Sequence, residues 1–159
     1  MEHPFEPIYN NVSQILILGS FPSVKSRAAE FYYHHPQNRF WKVISALTDA
    51  PEPKTIAAKK ALLLEQRIAV WDVIYSCDIV GSSDASIKNV VPNDIAKLLN
   101  KTSIKTVYAN GGKAAELYNR YCYQQTNKKI IKLPSTSPAN ARYSLEKLIE
   151  CWSQAMIRA

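Results

Sequence analysis

Four short apolar runs, set apart by helix-length segments, constrain this chain more than any other feature. They are Gln14–Gly19 (QILILG), Ile68–Tyr75 (IAVWDVIY), Ile104–Ala109 (IKTVYA) and Lys129–Leu133 (KIIKL). Each is brief and rich in Ile, Val or Leu, the pattern of a strand buried on both faces. Helical spacing fills the intervals. Phe40, Val43, Ile44 and Leu47 recur at i, i+3, i+4 and i+7, and Ala61–Leu64 extend a helix that Thr55 can cap. Ile95, Leu98 and Leu99 follow Pro92; Ala114, Leu117, Tyr118 and Tyr121 make a fourth helix; Leu145, Leu148, Ile149, Trp152 and Met156 make the last. Strands alternating with helices need right-handed crossovers and a sheet covered on both faces. The fold class expected is therefore α/β: a three-layer α/β/α sandwich around a central, mostly parallel four-stranded sheet. At 159 residues, one domain spanning 1–159 is expected.

Composition enters by exclusion. With 47% hydrophobic and 21% charged residues the chain is globular rather than disordered. The longest apolar run, Ile15–Leu18, is far short of a bilayer span, and MEHPFEPIYNN lacks the basic start and apolar stretch of a signal peptide. A cytoplasmic location is expected, with nucleoid association in a prokaryote. Cys77, Cys122 and Cys151 are widely spaced and form no CxxC pair, so no metal site is indicated and the three read as reduced thiols. The formal net charge of +7 is uneven: residues 1–100 cancel, and residues 101–159 carry ten basic against three acidic groups. A neutral body with one basic segment fits nucleic acid, with an anionic membrane or simple solubility as the alternatives.

Ligands of open α/β sheets bind beyond the carboxyl ends of the strands. The segments there are Gly19–Ser23, Cys77–Ser86, Asn110–Lys113 and Pro134–Asn140, together with the long connection Ser20–Asn38. Gly19-Ser20-Phe21-Pro22-Ser23 is neither GxGxxG nor a Walker loop, and it lacks the GxSxG of a nucleophile elbow. Its serines read as turn residues, with acyl transfer by Ser20 or Ser23 a weak alternative. Phe31-Tyr32-Tyr33-His34-His35-Pro36-Gln37-Asn38-Arg39-Phe40-Trp41 crowds aromatic, amide, imidazole and guanidinium groups, which suits stacking on a base and hydrogen bonding to its edge. The alternative is an ordinary loop anchored by its aromatics, with Asn38 capping the helix behind it. Leu133-Pro134-Ser135-Thr136-Ser137-Pro138-Ala139-Asn140-Ala141-Arg142 is a stiff loop with N–H and O–H donors, suited to phosphate oxygens or simply to capping the last helix.

Together, GSFPS, YYHHPQNRFW, IAVWDVI followed by GSSDASI, and LPSTSPANAR resemble the uracil-DNA glycosylase superfamily, and within it the family 6 branch of hypoxanthine-DNA (deoxyinosine) glycosylases. The resemblance covers roughly residues 14–157. It implies a uracil-DNA glycosylase-like domain that excises a deaminated base and leaves an abasic site. Most superfamily members place a water-activating Asp or Asn two residues after the motif glycine; here Phe21 stands there and can do neither. That departure fits family 6, where the Asn of HPQNR carries the key role, and so implies Asn38 as the catalytic residue. An amide is a poor base, so Asn38 is read as positioning the water or the leaving base.

The resemblance also places Asp72 near the position that hydrogen-bonds the flipped base. An ionised Asp72 would accept from hypoxanthine N1–H and repel the bare N1 of adenine, although uracil N3–H fits it equally and a structural role is the alternative. The implied base-binding set is Gly19, Ser20, Phe21, Pro22, Ser23, His35 and Asp72, with Phe21 or a neighbouring aromatic stacking on the base. The implied DNA-binding set is Arg39, Lys113, Ser135, Ser137, Pro138, Ala139, Asn140 and Arg142. Lys25, Lys128, Lys129 and Lys132 are further candidates for phosphates, and Ala139 or Asn140 for filling the vacated space. The expected enzyme is a monomeric, monofunctional hydrolase of N-glycosyl bonds acting on DNA with deaminated bases. No cofactor or metal is called for. Uracil or mismatch excision, and a catalytically silent nucleic-acid-binding module, are the competing readings.

Overall fold

A computed structural model describes residues 1–158, with side chains described through residue 156. Strand β1 (Ile15–Gly19) leads through α1 (Val24–Ala29), α2 (Phe40–Thr48) and α3 (Ile56–Glu65) to β2 (Ile68–Asp72). A hairpin of β3 (Ile74–Asp78) and β4 (Lys88–Pro92) follows, with a 3-10 turn at Asp84–Ser86 in its loop. The chain continues as α4 (Ile95–Asn100), β5 (Thr106–Asn110), α5 (Gly112–Tyr121), α6 (Tyr123–Thr126), β6 (Ile130–Leu133) and α7 (Leu145–Arg158). The main sheet runs β2-β1-β5-β6 and every pair is parallel. This is the expected four-stranded α/β arrangement.

Period-two alternation along β1 divides the interior in two. Leu16 and Leu18 point to one face and join Ala69 and Val107 under Ile95 and Leu98 of α4 and Leu117 and Tyr118 of α5. Ile17 points to the other and joins Val70 and Tyr108 under Val43 and Ile44 of α2, Leu63 of α3, and Leu148 and Trp152 of α7. Fully burying one such side chain is worth about 1.5–3 kcal/mol. A polar residue in β1 therefore cannot be hidden by turning the strand over.

The run Ile68–Tyr75, read as one strand, is two. β1 stops at Gly19, so its last carbonyls, of Gly19 and Ser20, accept the N–H groups of Val73 (2.8 Å) and Ile74 (3.1 Å), and no partner lies beyond. The chain bends there and β3 pairs antiparallel with β4 in a separate two-stranded sheet. Asn93 splints the bend: its amide donates to the carbonyls of Asp72 (2.9 Å) and Ile74 (3.2 Å), and its own N–H to Val73 (2.7 Å). The Ser20–Asn38 connection also holds more structure than expected, since it contains α1, whose N-cap Ser23 accepts the Ser26 N–H at 3.1 Å. The N-terminal residues cover the open edge of the main sheet. Ile8 bridges to Val70 of β2, and the His3 N–H donates to the Tyr75 carbonyl at 2.6 Å.

Candidate active site

All four main strands end at one edge, and there the loops enclose a cavity of about 120 Å³. That is below the ~300–1,000 Å³ of sites that engulf drug-sized ligands, and it suits one planar heterocycle rather than a whole nucleotide. Gly19–Ser23 at the exit of β1 line one wall. Tyr33, Asn38, Asp72, Asn110 and Thr136 bring side chains from four other segments.

Asn38 is held by a relay that joins residues far apart in sequence. Its Oδ1 accepts the Phe40 N–H at 2.9 Å and the Thr136 hydroxyl at 2.8 Å. Thr136 is fully buried; its Oγ1 accepts from the Asn110 amide at 3.0 Å, and its N–H donates to Asn110 Oδ1 at 3.0 Å. Two donors fix Asn38 Oδ1, which settles the amide orientation and leaves Nδ2 with two N–H groups for the cavity. Asn38, one residue before the N-cap Arg39, therefore holds the first N–H of α2 and serves the cavity at once. It can hold an oxygen or a ring nitrogen but cannot accept a proton.

Asp72 supplies the opposite polarity. It is buried, in register with Gly19, and its Oδ2 lies 2.7 Å from His3 Nε2. His3 Nδ1 accepts the Phe5 N–H at 3.4 Å, so Nε2 carries the proton and donates to the carboxylate. Oδ1 remains as an acceptor beside the cavity and passes so close to Gly19 that a Cβ there would sit 2.4 Å from it. Tyr33 closes the same corner. Its backbone is left-handed (φ 52°), its ring stacks on Phe40 with centroids 4.0 Å apart, and its hydroxyl is buried with no hydrogen-bond partner among the described residues. Burial, and then the Asp72 charge, raise the Tyr33 hydroxyl far above its ordinary pKa, so it stays a donor. The cavity thus presents the buried acceptor Asp72 Oδ1 and, at its rim, the Asp84 carboxylate, with donors from Asn38, Tyr33 and serine hydroxyls and the rings of Phe21 and Tyr32.

The remaining aromatics of the Phe31–Trp41 block are anchors. Phe31 stacks on Trp41 at 5.8 Å, and Trp41 Nε1 donates to the Tyr32 carbonyl at 3.2 Å. His35, expected at the base, is not among the cavity residues; its Nδ1 accepts the Gln37 N–H at 3.1 Å and shapes the loop.

The cavity opens into a groove of about 610 Å³ that shares Asp84, Ser135 and Ser137 with it and is lined further by Lys132, Asn140 and Arg142. Arg39, expected to hold a phosphate, does something else. Its side chain donates to four backbone carbonyls of the β6–α7 loop: Thr136 (3.4 Å), Ser137 (2.8 Å), Asn140 (3.0 Å) and Tyr143. Four of its five side-chain donors are spent on setting that loop's shape. Asn140 braces the same loop through Ser135 O at 2.9 Å, which leaves Pro138 and Ala139 as its exposed tip. Lys113 sits 3.7 Å from Glu116 on α5. Lys128 and Lys129 precede β6, at the end of the sheet away from the cavity, and Lys128 Nζ donates to the Lys105 carbonyl at 2.9 Å. Ser23 is a helix cap and Ser20 donates to Asp84 Oδ1 at 3.0 Å, so neither has the histidine base that acyl transfer requires.

A sequence model described as the uracil DNA glycosylase superfamily matches residues 6–155 of the chain. The chain belongs to this superfamily. It is 32% identical over 142 residues to a protein named hypoxanthine DNA glycosylase from Methanosarcina acetivorans, covering 88% of this chain and 89% of the relative. It is 31% identical over 157 residues to one of the same name from Methanosarcina barkeri, covering 97% of each. A solution NMR structure of a candidate uracil DNA glycosylase from Methanosarcina acetivorans superposes with a TM-score of 0.79 at 28% identity over 96% of both chains. The sequence does not single out His3, Tyr33, Asp84, Asn110 or Thr136 one by one; all but His3 lie inside the strand-exit segments or the aromatic block expected to bind a ligand.

The His3–Asp72 bond makes a first prediction. Replacing His3 with Ala leaves a buried carboxylate oxygen without its donor, a loss of about 1–3 kcal/mol. Thermal unfolding is expected to show it, with His3→Gln, which keeps an N–H donor, recovering part of the loss.

Proposed function

We propose that this chain is a DNA glycosylase that flips hypoxanthine out of DNA and hydrolyses its N-glycosidic bond, leaving an abasic site. One observation carries the choice of base: deep in the cavity a buried acceptor, Asp72 Oδ1, lies among donors from Asn38 Nδ2 and the Tyr33 hydroxyl. Hypoxanthine offers one edge donor, N1–H, flanked by the acceptors O6 and N3. Adenine offers a lone pair at N1 and meets a carboxylate. The names of the two Methanosarcina relatives point the same way.

The chemistry follows from charge. As the C1′–N9 bond breaks, negative charge moves onto the base and positive charge onto the sugar. Donors fixed at the base, Asn38 Nδ2 first among them, stabilise the leaving group and need no reorientation as the bond breaks. Flipping costs a few kcal/mol, least where hypoxanthine is already poorly paired. The groove lined by Lys132 and Arg142 holds the phosphates, and the Pro138–Ala139 tip faces the vacated space. The protein acts as a monomer on cytoplasmic DNA, without a lyase step.

Oligonucleotides bearing inosine, uracil or mismatched thymine, treated with alkali after incubation, test this. The inosine strand is expected to break only with alkali. Cleavage of uracil alone would transfer the site to uracil, whose N3–H also fits Asp72, and binding without cleavage of any strand would make the chain a silent binding module.

A further inference from the structure

The site described so far lacks a group that can take a proton from water. Asn38 is a donor toward the cavity, Phe21 is a hydrocarbon, and Asp72 bonds His3 through Oδ2 and, on the reading above, keeps Oδ1 for the edge of the base. One carboxylate remains. Asp84 opens the 3-10 turn between β3 and β4 and lines both the cavity and the groove, at the junction of the two. A base in the cavity and its strand in the groove must be joined through this junction by the sugar. The reacting carbon, C1′, therefore passes here.

The surroundings make Asp84 unusual. Its Oδ1 accepts the Ser20 hydroxyl at 3.0 Å, which pins the carboxylate from across the cavity mouth, while Oδ2 has no hydrogen-bond partner among the described residues. The charged groups that face it are Lys113 of α5 and Asp72 of β2, and Lys132 and Arg142 line the groove beyond. A carboxylate in a groove built for phosphates opposes binding by like-charge repulsion. A turn could be closed by Asn or Ser without that penalty. Asp84 is exposed at the rim, and the partial loss of water around its carboxyl end raises it above the ordinary carboxylate pKa, against the lowering effects of Ser20 and Lys113.

We propose that Asp84 is the catalytic carboxylate of this enzyme, standing in from the β3–β4 loop for the acidic or amide group that Phe21 replaces. This rests on the glycosylase reading above. The C1′–N9 bond breaks with both electrons leaving on the base, which takes a proton from solvent. The carboxylate stabilises the positive sugar while it is ionised. A water oxygen then bonds to C1′ as one of its protons passes to Asp84 Oδ2, and that proton is released to solvent.

Asp84→Asn separates this role from bracing, because the amide oxygen can still accept from Ser20. The expected result is a single-turnover rate on inosine DNA at least tenfold lower, with unchanged thermal stability and DNA affinity equal to or tighter than before. In the wild type the rate should fall as acidification protonates Asp84, above the pH at which an ordinary aspartate titrates, and the variant's residual rate should lack this limb. A variant within threefold of the wild-type rate, or one that keeps the acid limb, would overturn the proposal while leaving the glycosylase reading intact. A wild-type protein that cleaves no inosine strand would overturn both.

Discussion

Asn38→Ala is expected to slow hypoxanthine release by about 10²–10³-fold, the cost of losing one preorganised donor at a developing charge. The effect should fall on the single-turnover rate and hardly at all on affinity for DNA, because the amide faces the base cavity rather than the groove. Asn38→Asp is the sharper variant. It keeps the Oδ1 acceptor that Phe40 and Thr136 use, and it replaces the donor with a negative oxygen aimed at the leaving base. If Asn38 acted by accepting a proton, Asp would be the better residue and the rate would rise. If it acts by donating, the Asp variant should be as slow as Ala at neutral pH. Single-turnover excision of inosine by the three proteins decides between them.

Arg39→Ala should be the most damaging change to the architecture. Four carbonyls of one loop lose their donor together. Hydrogen bonds to charged groups are worth about 1.5–3 kcal/mol each; allowing for water that reaches this half-buried site, a total near 3 kcal/mol is expected. For a chain of this size that lowers the melting temperature by roughly 6–12 °C. Arg39→Lys should recover little, since one ammonium cannot span four carbonyls fixed by a planar fork. Excision should fall as well, through Thr136, whose carbonyl also accepts the Arg39 N–H at 3.1 Å. Had Arg39 been a phosphate ligand, the Ala variant would melt like the wild type and merely bind DNA more weakly, so calorimetry and salt-dependent binding read the two roles separately.

The sheet could be read from the sequence because β1, β2 and β5 are buried on both faces and announce themselves as apolar runs, and the edge strand β6, half-buried, still carries Ile130, Ile131 and Leu133. The break after Asp72 could not, since strand formers stand on both sides and the bend depends on where β1 ends. Asn38 and Asp72 were accessible through the resemblance of their motifs. His3 was not: a lone histidine in an N-terminal segment has no periodicity, and only the fold brings it to Asp72, 69 residues away. Thr136 was hidden among similar hydroxyl residues, and only its burial sets it apart. Arg39 shows the limit most clearly. A guanidinium next to a functional asparagine suits phosphate and carbonyl oxygen equally well, and geometry alone chooses.

The relay from Asn110 through Thr136 to Asn38 spans 26 and 98 residues of chain. During synthesis Asn38 emerges before β6, and only the local Phe40 N–H can hold its Oδ1 until β6 has docked and Thr136 has followed it into place. A partly made chain can therefore display the whole HPQNRFW motif and still lack the Thr136 bond that fixes the amide proposed to act on the base. If Asn38 is the donor proposed above, base-cleaving power, a hazard to intact DNA when loosely controlled, is withheld until β6 and the loop after it have closed over the site.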